Sequence, residues 1–446
     1  MKIGFYHLND MAAETKARLL RRAEADIADV TAKVLPIIKD VRKHGDKALI
    51  KYAKKLDGAV VDHLKVSSDE FLEARQTLGH EVKGAIDHCA DNVRRFHEEQ
   101  LRRAEKRWMV ETEPHIWCGE QISPISSVGL YVPGGKNLFP SVVYMLGIPA
   151  VIAGVPQVAM VTPPGRDGKI GNALLYAAEV AGIQHVYKAG GAQAIAALAY
   201  GTETIPAVKK VLGPGNPYVA AAKQVLSTQF DPGMPAGPSE SIILCDASAN
   251  PHNTVLDLLN EAEHGPDSAA LLITHDEALA HYVRDHLPAA IDALPEPQRS
   301  YCKAVMADYG GIIVTQNLEE SIAFANEYAV EHLLLKVENP QDLLSRLTNA
   351  GEIIIGENTP IAAANYGTGV NHVLPTGGRA HSYSCTSIWD FLKRTSLTMA
   401  HPKGLENLKD SVEILADYEG LTAHGNALRQ RQTENIIAHD VDTLVA

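Results

Sequence analysis

Two short stretches hold the residue types that chemistry needs. The first is Glu261-Ala262-Glu263-His264, in which a carboxylate and an imidazole stand three residues apart. On a helix that spacing turns both toward one face, away from the apolar stripe of Val255, Leu258, Leu259 and Ala262. A Glu and a His so placed can share one divalent ion. The same pair also suits a solvated helix end, with Gly265-Pro266 as the stop signal. The second stretch is Glu331-His332, which opens an apolar run ending at Val337. An imidazole titrating near neutrality suits proton transfer, although a polar pair at a strand start would look the same. Residues 365–387 add a loop dense in polar groups, among them Asn365, Tyr366, Asn371, His372, Thr376, Arg379 and His381.

Composition bounds what these residues can belong to. A chain of 446 residues exceeds the size at which a single core stops growing, so two or more domains are expected. Hydrophobic residues at 46% and charged residues at 21% are ordinary for a soluble globular protein. A net charge of −13 argues against a nucleic-acid partner. No apolar run approaches the roughly 20 residues that cross a bilayer, and Met1-Lys2-Ile3-Gly4-Phe5-Tyr6-His7 lacks a signal-peptide core. The cysteines, Cys89, Cys118, Cys245, Cys302 and Cys385, are scattered without C-x-x-C spacing. That argues for a reducing compartment and against a cysteine zinc cluster. The expectation is a cytoplasmic, enzyme-sized protein with no membrane partner.

The elements that must position the reactive stretches follow from periodicity. Residues from about 11 to 106 read as helical, with His63, His80, His88 and His97 expected on solvated faces. From Val128 the texture changes. Strand candidates at Val128–Val132, Gln157–Thr162, His185–Lys188 and Val208–Leu212 alternate with helix candidates at Ser141–Ala153, Asn172–Ala181, Ala192–Tyr200 and Asn216–Leu226. Such alternation predicts a parallel sheet with crossover helices, which takes ligands at the carboxyl ends of its strands. Glycine loops fall there: Pro133-Gly134-Gly135, Gly190-Gly191-Ala192 and Gly213-Pro214-Gly215-Asn216. None completes G-x-G-x-x-G, so a nucleotide site and ordinary helix-start glycines both stay open. After Pro235-Ala236-Gly237-Pro238 a second alternation begins, with strands at Ser241–Cys245, Ala270–Thr274, Gly311–Thr315, His332–Val337 and Glu352–Ile355. Beyond about Ile361 the strands are expected to stop. The last segment reads as helical and too polar to be core, suited to packing on another subunit.

In order along the chain stand Gly129-Leu130-Tyr131-Val132-Pro133-Gly134-Gly135, Gly213-Pro214-Gly215-Asn216, Ala236-Gly237-Pro238-Ser239-Glu240, Ala262-Glu263-His264-Gly265-Pro266-Asp267-Ser268, Glu331-His332-Leu333, Asn371-His372-Val373-Leu374-Pro375-Thr376 and Glu419-Gly420-Leu421-Thr422-Ala423-His424. By these motifs the chain resembles the histidinol dehydrogenase family from about Lys33 to the C-terminus. The resemblance implies an α/β protein of two incomplete Rossmann-like domains with parallel sheets. A helical N-terminal region (1–120) would pack on the second α/β domain. The first Rossmann-like domain would span 121–235 on the NAD side. The second (236–381) would carry the metal and the acid/base pair, and a helical tail (382–446) would be exchanged in a homodimer with shared active sites.

The resemblance further implies NAD-linked oxidation of a small primary alcohol at a zinc site, carried in histidinol dehydrogenase proper through an aldehyde to the acid. Position by position, Tyr131, Gln193 and Asn216 would contact NAD. Ser239, His264, His332, His372, Glu419 and His424 would line the substrate pocket. Glu331 and His332 match the acid/base pair, His332 taking the hydroxyl proton and Glu331 activating water. Zinc would be held by Glu261, His264, Asn365 and, from the partner subunit, His424. Glu261 and Asn365 depart from the pattern, which has glutamine and aspartate at those places. The carboxylate and amide have traded positions, and the formal charge of the ligand set is unchanged. Three readings follow: a paralogue oxidising another small polar alcohol, as the sulfopropanediol dehydrogenases illustrate; histidinol dehydrogenase itself; or a catalytically silent nucleotide- or metal-binding dimer. The exchange favours the first, and the retained Glu331, His332, His264 and His424 speak against the last.

Overall fold

The computed structural model describes residues 1–23, 27–134 and 138–431. Gly135 of the first glycine loop and residues 432–446 of the tail lie outside the described residues. The strands, in chain order, are β1 (Phe5–His7), β2 (Arg107–Glu113), β3 (Ile116–Pro124), β4 (Ser127–Tyr131), β5 (Gln157–Thr162), β6 (His185–Lys188) and β7 (Lys210–Leu212). They continue with β8 (Glu240–Cys245), β9 (Ala269–Thr274), β10 (Gly311–Val314), β11 (Val330–Lys336), β12 (Ala350–Ile355) and β13 (Leu392–Ala400). The chain divides into two compact units, one formed by residues 1–98 with 126–391 and the other by 99–125 with 392–446.

The first unit holds two wholly parallel sheets. One has four strands in the order β6-β5-β4-β7, the other six in the order β1-β10-β9-β8-β11-β12. Parallel strands covered by helices on both faces read as unbroken apolar runs rather than alternating ones. Leu271, Leu272 and Ile273 on β9 and Leu333, Leu334 and Leu335 on β11 are accordingly all buried. The expected α/β class with parallel sheets is therefore what the chain forms.

The N-terminal residues serve both sheets. β1 pairs with β10, and Leu19 of the helix Ala13–Arg21 joins the core of the six-stranded sheet. Val34, Ile38 and Val41 of the helix Ile27–His44 instead pack with Val161, Leu198 and Val219 around the four-stranded sheet. His97, expected on a solvated face, is fully buried, with Nδ1 donating to the Val93 carbonyl at 2.8 Å. Burial pushes its pKa down, so the ring is kept neutral in the helix core.

The second unit contains the antiparallel sheet β13-β3-β2 and the helices Pro402–Tyr418 and Thr422–Arg429. Its strands were not expected. In β2 and β13 most positions are exposed, and charged residues interrupt the apolar ones. Arg429 ties the two helices together through Glu413 at 3.0 Å and through Asp417. Among the described residues, no helix is long and apolar enough to cross a membrane.

Candidate functional site

The reactive stretches meet at the amino ends of the six-stranded sheet. Ser239 immediately precedes β8, which Glu240 opens; Glu331 and His332 are the second and third residues of β11, and Glu352 is the third residue of β12. Register places His332 between Ser241 on one side and Glu352 on the other. Glu261 and His264 arrive from the segment before β9. They are not on a helix: the helix Pro251–Asp257 ends earlier, and residues 258–263 form successive turns. The apolar spacing survives in Leu258, Leu259 and Ala262, which anchor those turns in the core. A helical period thus reported burial correctly and conformation wrongly.

Glu261 is almost fully buried, and its Oε1 accepts a hydrogen bond from Asn365 Nδ2 at 2.7 Å. Burial alone would push its carboxyl up. The imidazoles of His264 and His332, with hydrogen bonds from Asn365 and Ser239, outweigh that and hold it below the ordinary value. Its Oε2 lies 3.6 Å from His264 Nε2, too far for a hydrogen bond. The edge of a tetrahedron with ligand bonds of about 2.1 Å measures roughly 3.4 Å, so the separation suits two donors on one zinc ion. Because the Asn365 amide nitrogen must face the carboxylate, Oδ1 points elsewhere, and this buried oxygen has no hydrogen-bond partner. An anionic oxygen, an imidazole nitrogen and an orphaned amide oxygen fit a divalent cation. A second donor combination, Glu261, Glu331 and His332, has ligand atoms within 4.8 Å of one another and shares Glu261 with the first.

Glu331 and His332 are buried and face one another, with Glu331 Oε1 3.9 Å from His332 Nε2. Glu331 Oε2 accepts from the Glu240 backbone N–H at 2.9 Å. Burial pushes the Glu331 carboxyl well above the carboxylate range against the opposing pull of His332, and the nearby Glu261 and Glu240 reinforce that rise. His332 differs from its expected near-neutral value. Burial opposes its charged form, but Glu331, Glu352 and Glu261 together raise it to about 9. His372, also expected in the pocket, is driven the other way: burial and the charge of His332 take it down to about 4, and its Nε2 has no partner.

Two residues near this site had no role in the sequence reading. Glu352 Oε2 accepts a hydrogen bond from His332 Nδ1 at 3.1 Å. Only the pairing register of β11 with β12 reveals that contact, and no local motif announces it. Arg22, with φ of +59°, reaches the buried Glu240 at 3.2 Å, bonds the Tyr328 carbonyl and lies over the Tyr328 ring at 3.7 Å. The Tyr328 carbonyl ends the helix Leu318–Tyr328, where a cation complements the helix dipole.

The residues expected to meet NAD stand at the carboxyl ends of the four-stranded sheet. Tyr131 ends β4, Gln193 lies in the first turn of the helix that follows β6, and Asn216 follows β7. The Tyr131 hydroxyl accepts from the Gly191 N–H at 3.2 Å, and the buried Gln193 Oε1 is without a partner. Asn216 caps the helix Pro217–Val225, its Oδ1 accepting from Tyr218 N at 3.0 Å and Val219 N at 3.2 Å. Lys223, in the same helix, is buried and donates to the Gly213 carbonyl at 2.8 Å. Loop and helix are thereby tied together. The segment bearing Asn365 and His372 is fastened to the helix after β4: Tyr144 donates to the Tyr366 carbonyl at 2.9 Å and Asn371 to the Met145 carbonyl at 2.6 Å. Glu419 and His424 belong to the second unit, where both are exposed.

Comparison with known proteins bears on the chain and its fold as a whole. Residues 20–432 match the histidinol dehydrogenase family profile. A histidinol dehydrogenase homolog of Colwellia psychrerythraea is 44% identical, with 98% of each chain covered. The histidinol dehydrogenase of Synechocystis sp. is 43% identical over 95% of this chain and 98% of its own. The crystal structure of histidinol dehydrogenase from Elizabethkingia anophelis superposes with a TM-score of 0.91 at 36% identity, covering 100% of this chain and 99% of that one. In sequence along nearly its whole length and in fold, the chain belongs to the histidinol dehydrogenase family.

Proposed function

We propose that the protein is an NAD-linked dehydrogenase that oxidises L-histidinol through the aldehyde to L-histidine. The observation that carries this reading is the buried Glu331–His332 pair set beside Glu261, in a chain whose relatives include named histidinol dehydrogenases. Glu261, His264 and Asn365 would hold zinc, which when bound would seat the substrate and polarise its oxygen, while NAD at the Tyr131, Gln193 and Asn216 end would accept hydride. His332 exchanges the hydroxyl proton through Nε2, since Nδ1 is engaged by Glu352. Glu331, with a carboxyl raised by burial, can hold or release a proton beside it. In the second oxidation the same carboxyl orients the water that adds to the aldehyde. His372, neutral at physiological pH, offers a hydrogen bond without adding charge.

One feature favours a second reading, a family member acting on another small polar alcohol. Glu261 and Asn365 reverse the amide and carboxylate of the family pattern, and these residues would touch the metal that touches substrate. NADH formation with L-histidinol, set against small polyols and sulfonated diols, separates the two. Two NADH per histidinol consumed supports the first reading. Turnover confined to another alcohol replaces it with the second.

The sites are proposed to be completed in a homodimer, with Glu419 and His424 contributed by a second copy of the chain. The support is their exposure on a segment that also exposes Ile414, Leu415 and Tyr418. Mixing inactive His332→Ala and His424→Ala chains should restore activity through hybrid sites. Stable hybrids without activity would remove the shared site.

A further inference from the structure

We propose that Glu352 is the positioning residue of the His332 general base, fixing the imidazole so that Nε2 alone faces the reacting alcohol. The proposal rests on the reading of His332 as the group that exchanges the hydroxyl proton. β11 and β12 run parallel with His332 opposite Glu352, and residues so opposed share one face of the sheet. Glu352 Oε2 lies 3.1 Å from His332 Nδ1, with the two side chains only 11% and 3% exposed. A carboxylate accepts and cannot donate, so Nδ1 must carry the hydrogen. That fixes the tautomer and leaves Nε2 as the nitrogen that exchanges a proton.

Glu331 cannot take over this task. Its Oε1 stands 3.9 Å from Nε2, beyond hydrogen-bond reach, and its Oε2 is held by the Glu240 N–H at 2.9 Å. The two carboxylates therefore serve opposite edges of one ring: Glu331 borders the reacting edge and Glu352 holds the far edge. Because both strands are paired along their length in the sheet, the contact is built on rigid elements.

Glu352→Gln tests this, because glutamine preserves size and packing. Its amide can present a donor to Nδ1, which would move the imidazole proton to Nε2. The expected result is a fall in kcat for alcohol oxidation of roughly 10- to 100-fold, with the KM for NAD unchanged. A role in packing alone would leave kcat at the wild-type value, and that outcome overturns the proposal. Adding Glu352→Gln to His332→Asn should cost nothing further, since the two act as a unit. A full additional loss would place the action of Glu352 elsewhere and overturn it too. A third measurement does not depend on turnover. In nitrogen-15 spectra of the wild-type protein, with the His332 signals identified by their loss in His332→Asn, the neutral ring should be protonated on Nδ1. Protonation on Nε2 alone overturns the proposal. Should the wild-type protein form no NADH with any alcohol, the functional reading fails, while these spectra still decide the Glu352–His332 pair.

Discussion

The two parallel sheets of the first unit offer opposite ends to chemistry. The four-stranded sheet presents its carboxyl ends, where Tyr131, the Gly190–Gly191 loop and Asn216 gather. Helices begin there, and their N-termini supply unpaired N–H groups and partial positive charge suited to an anionic dinucleotide. The six-stranded sheet presents its amino ends, where helices finish and partial negative charge collects. That end holds Glu240, Glu261, Glu331 and Glu352, and it attracts cations: Arg22 at the Tyr328 carbonyl and a His332 raised to about 9. The same architecture thus makes an anion-accepting edge and a cation-accepting edge, depending on which strand ends are left open. A carboxyl-end rule applied to both sheets would place only half of the site.

Breaking the cation-accepting edge should have the largest effect. His332→Asn removes the proton-exchanging ring while leaving the glycine loops intact. The expected loss in kcat is on the order of a hundredfold or more, with NAD affinity unchanged. Steady-state kinetics with titration of NAD binding checks both halves, and an undiminished rate would remove His332 from the mechanism.

Next in size is the exchanged ligand pair on the same edge. Glu261→Gln leaves only neutral donors and should weaken zinc binding by about 10- to 100-fold, read as metal content after dialysis. The double change Glu261→Gln with Asn365→Asp should bind better than Glu261→Gln alone. Additive effects would mean that the residues do not share an ion.

A smaller, purely nucleotide-side effect is expected from Gly213→Ala. Gly213 has φ of +117°, and a Cβ there would strike the Tyr131 carbonyl oxygen. The loop must shift, so the KM for NAD should rise about tenfold while kcat at saturating NAD stays near wild type. A fall in kcat alone would show that the two edges are not separable.

The smallest effect concerns stability on the nucleotide side. Burial takes Lys223 from the ordinary lysine value of 10.5 down to about 7. Between these values the unfolded chain binds a proton that the folded chain refuses, so stability rises with pH across that window and is level below it. Lys223→Met lacks this dependence. Wild type should gain on the variant by at most about 1.4 kcal/mol per pH unit between pH 7 and 10, seen as diverging thermal midpoints. Parallel midpoint curves would contradict a lysine buried in the neutral form.

Much of this was legible in the sequence because parallel strands write themselves as apolar runs. β8, β9 and β11 were placed to within two residues, and the helix Asn172–Ala181 was placed to the residue. β2, β3 and β13 were not legible, since pairing with one another rather than burial defines them. The site was readable where its residues are neighbours in sequence, as Glu331 and His332 are. It was unreadable where register brings them together, as with His332 and Glu352 twenty positions apart. Electrostatics was the least legible part. The expected near-neutral His332 ignored carboxylates that only folding collects.

β11 is buried at every position and hydrogen-bonded along both edges, to β8 and to β12. Its far end is pinned as well, by Lys336, which is fully buried and reaches Asp257 at 2.5 Å and Glu357 at 3.4 Å. The proton-exchanging group is therefore mounted on an interior strand with little opportunity to open locally. Amide hydrogens of residues 332–335 should be among the slowest in the molecule to exchange, released only when the whole unit opens. Heating should then abolish catalysis at the temperature at which the fold is lost, with no inactive but folded interval before it.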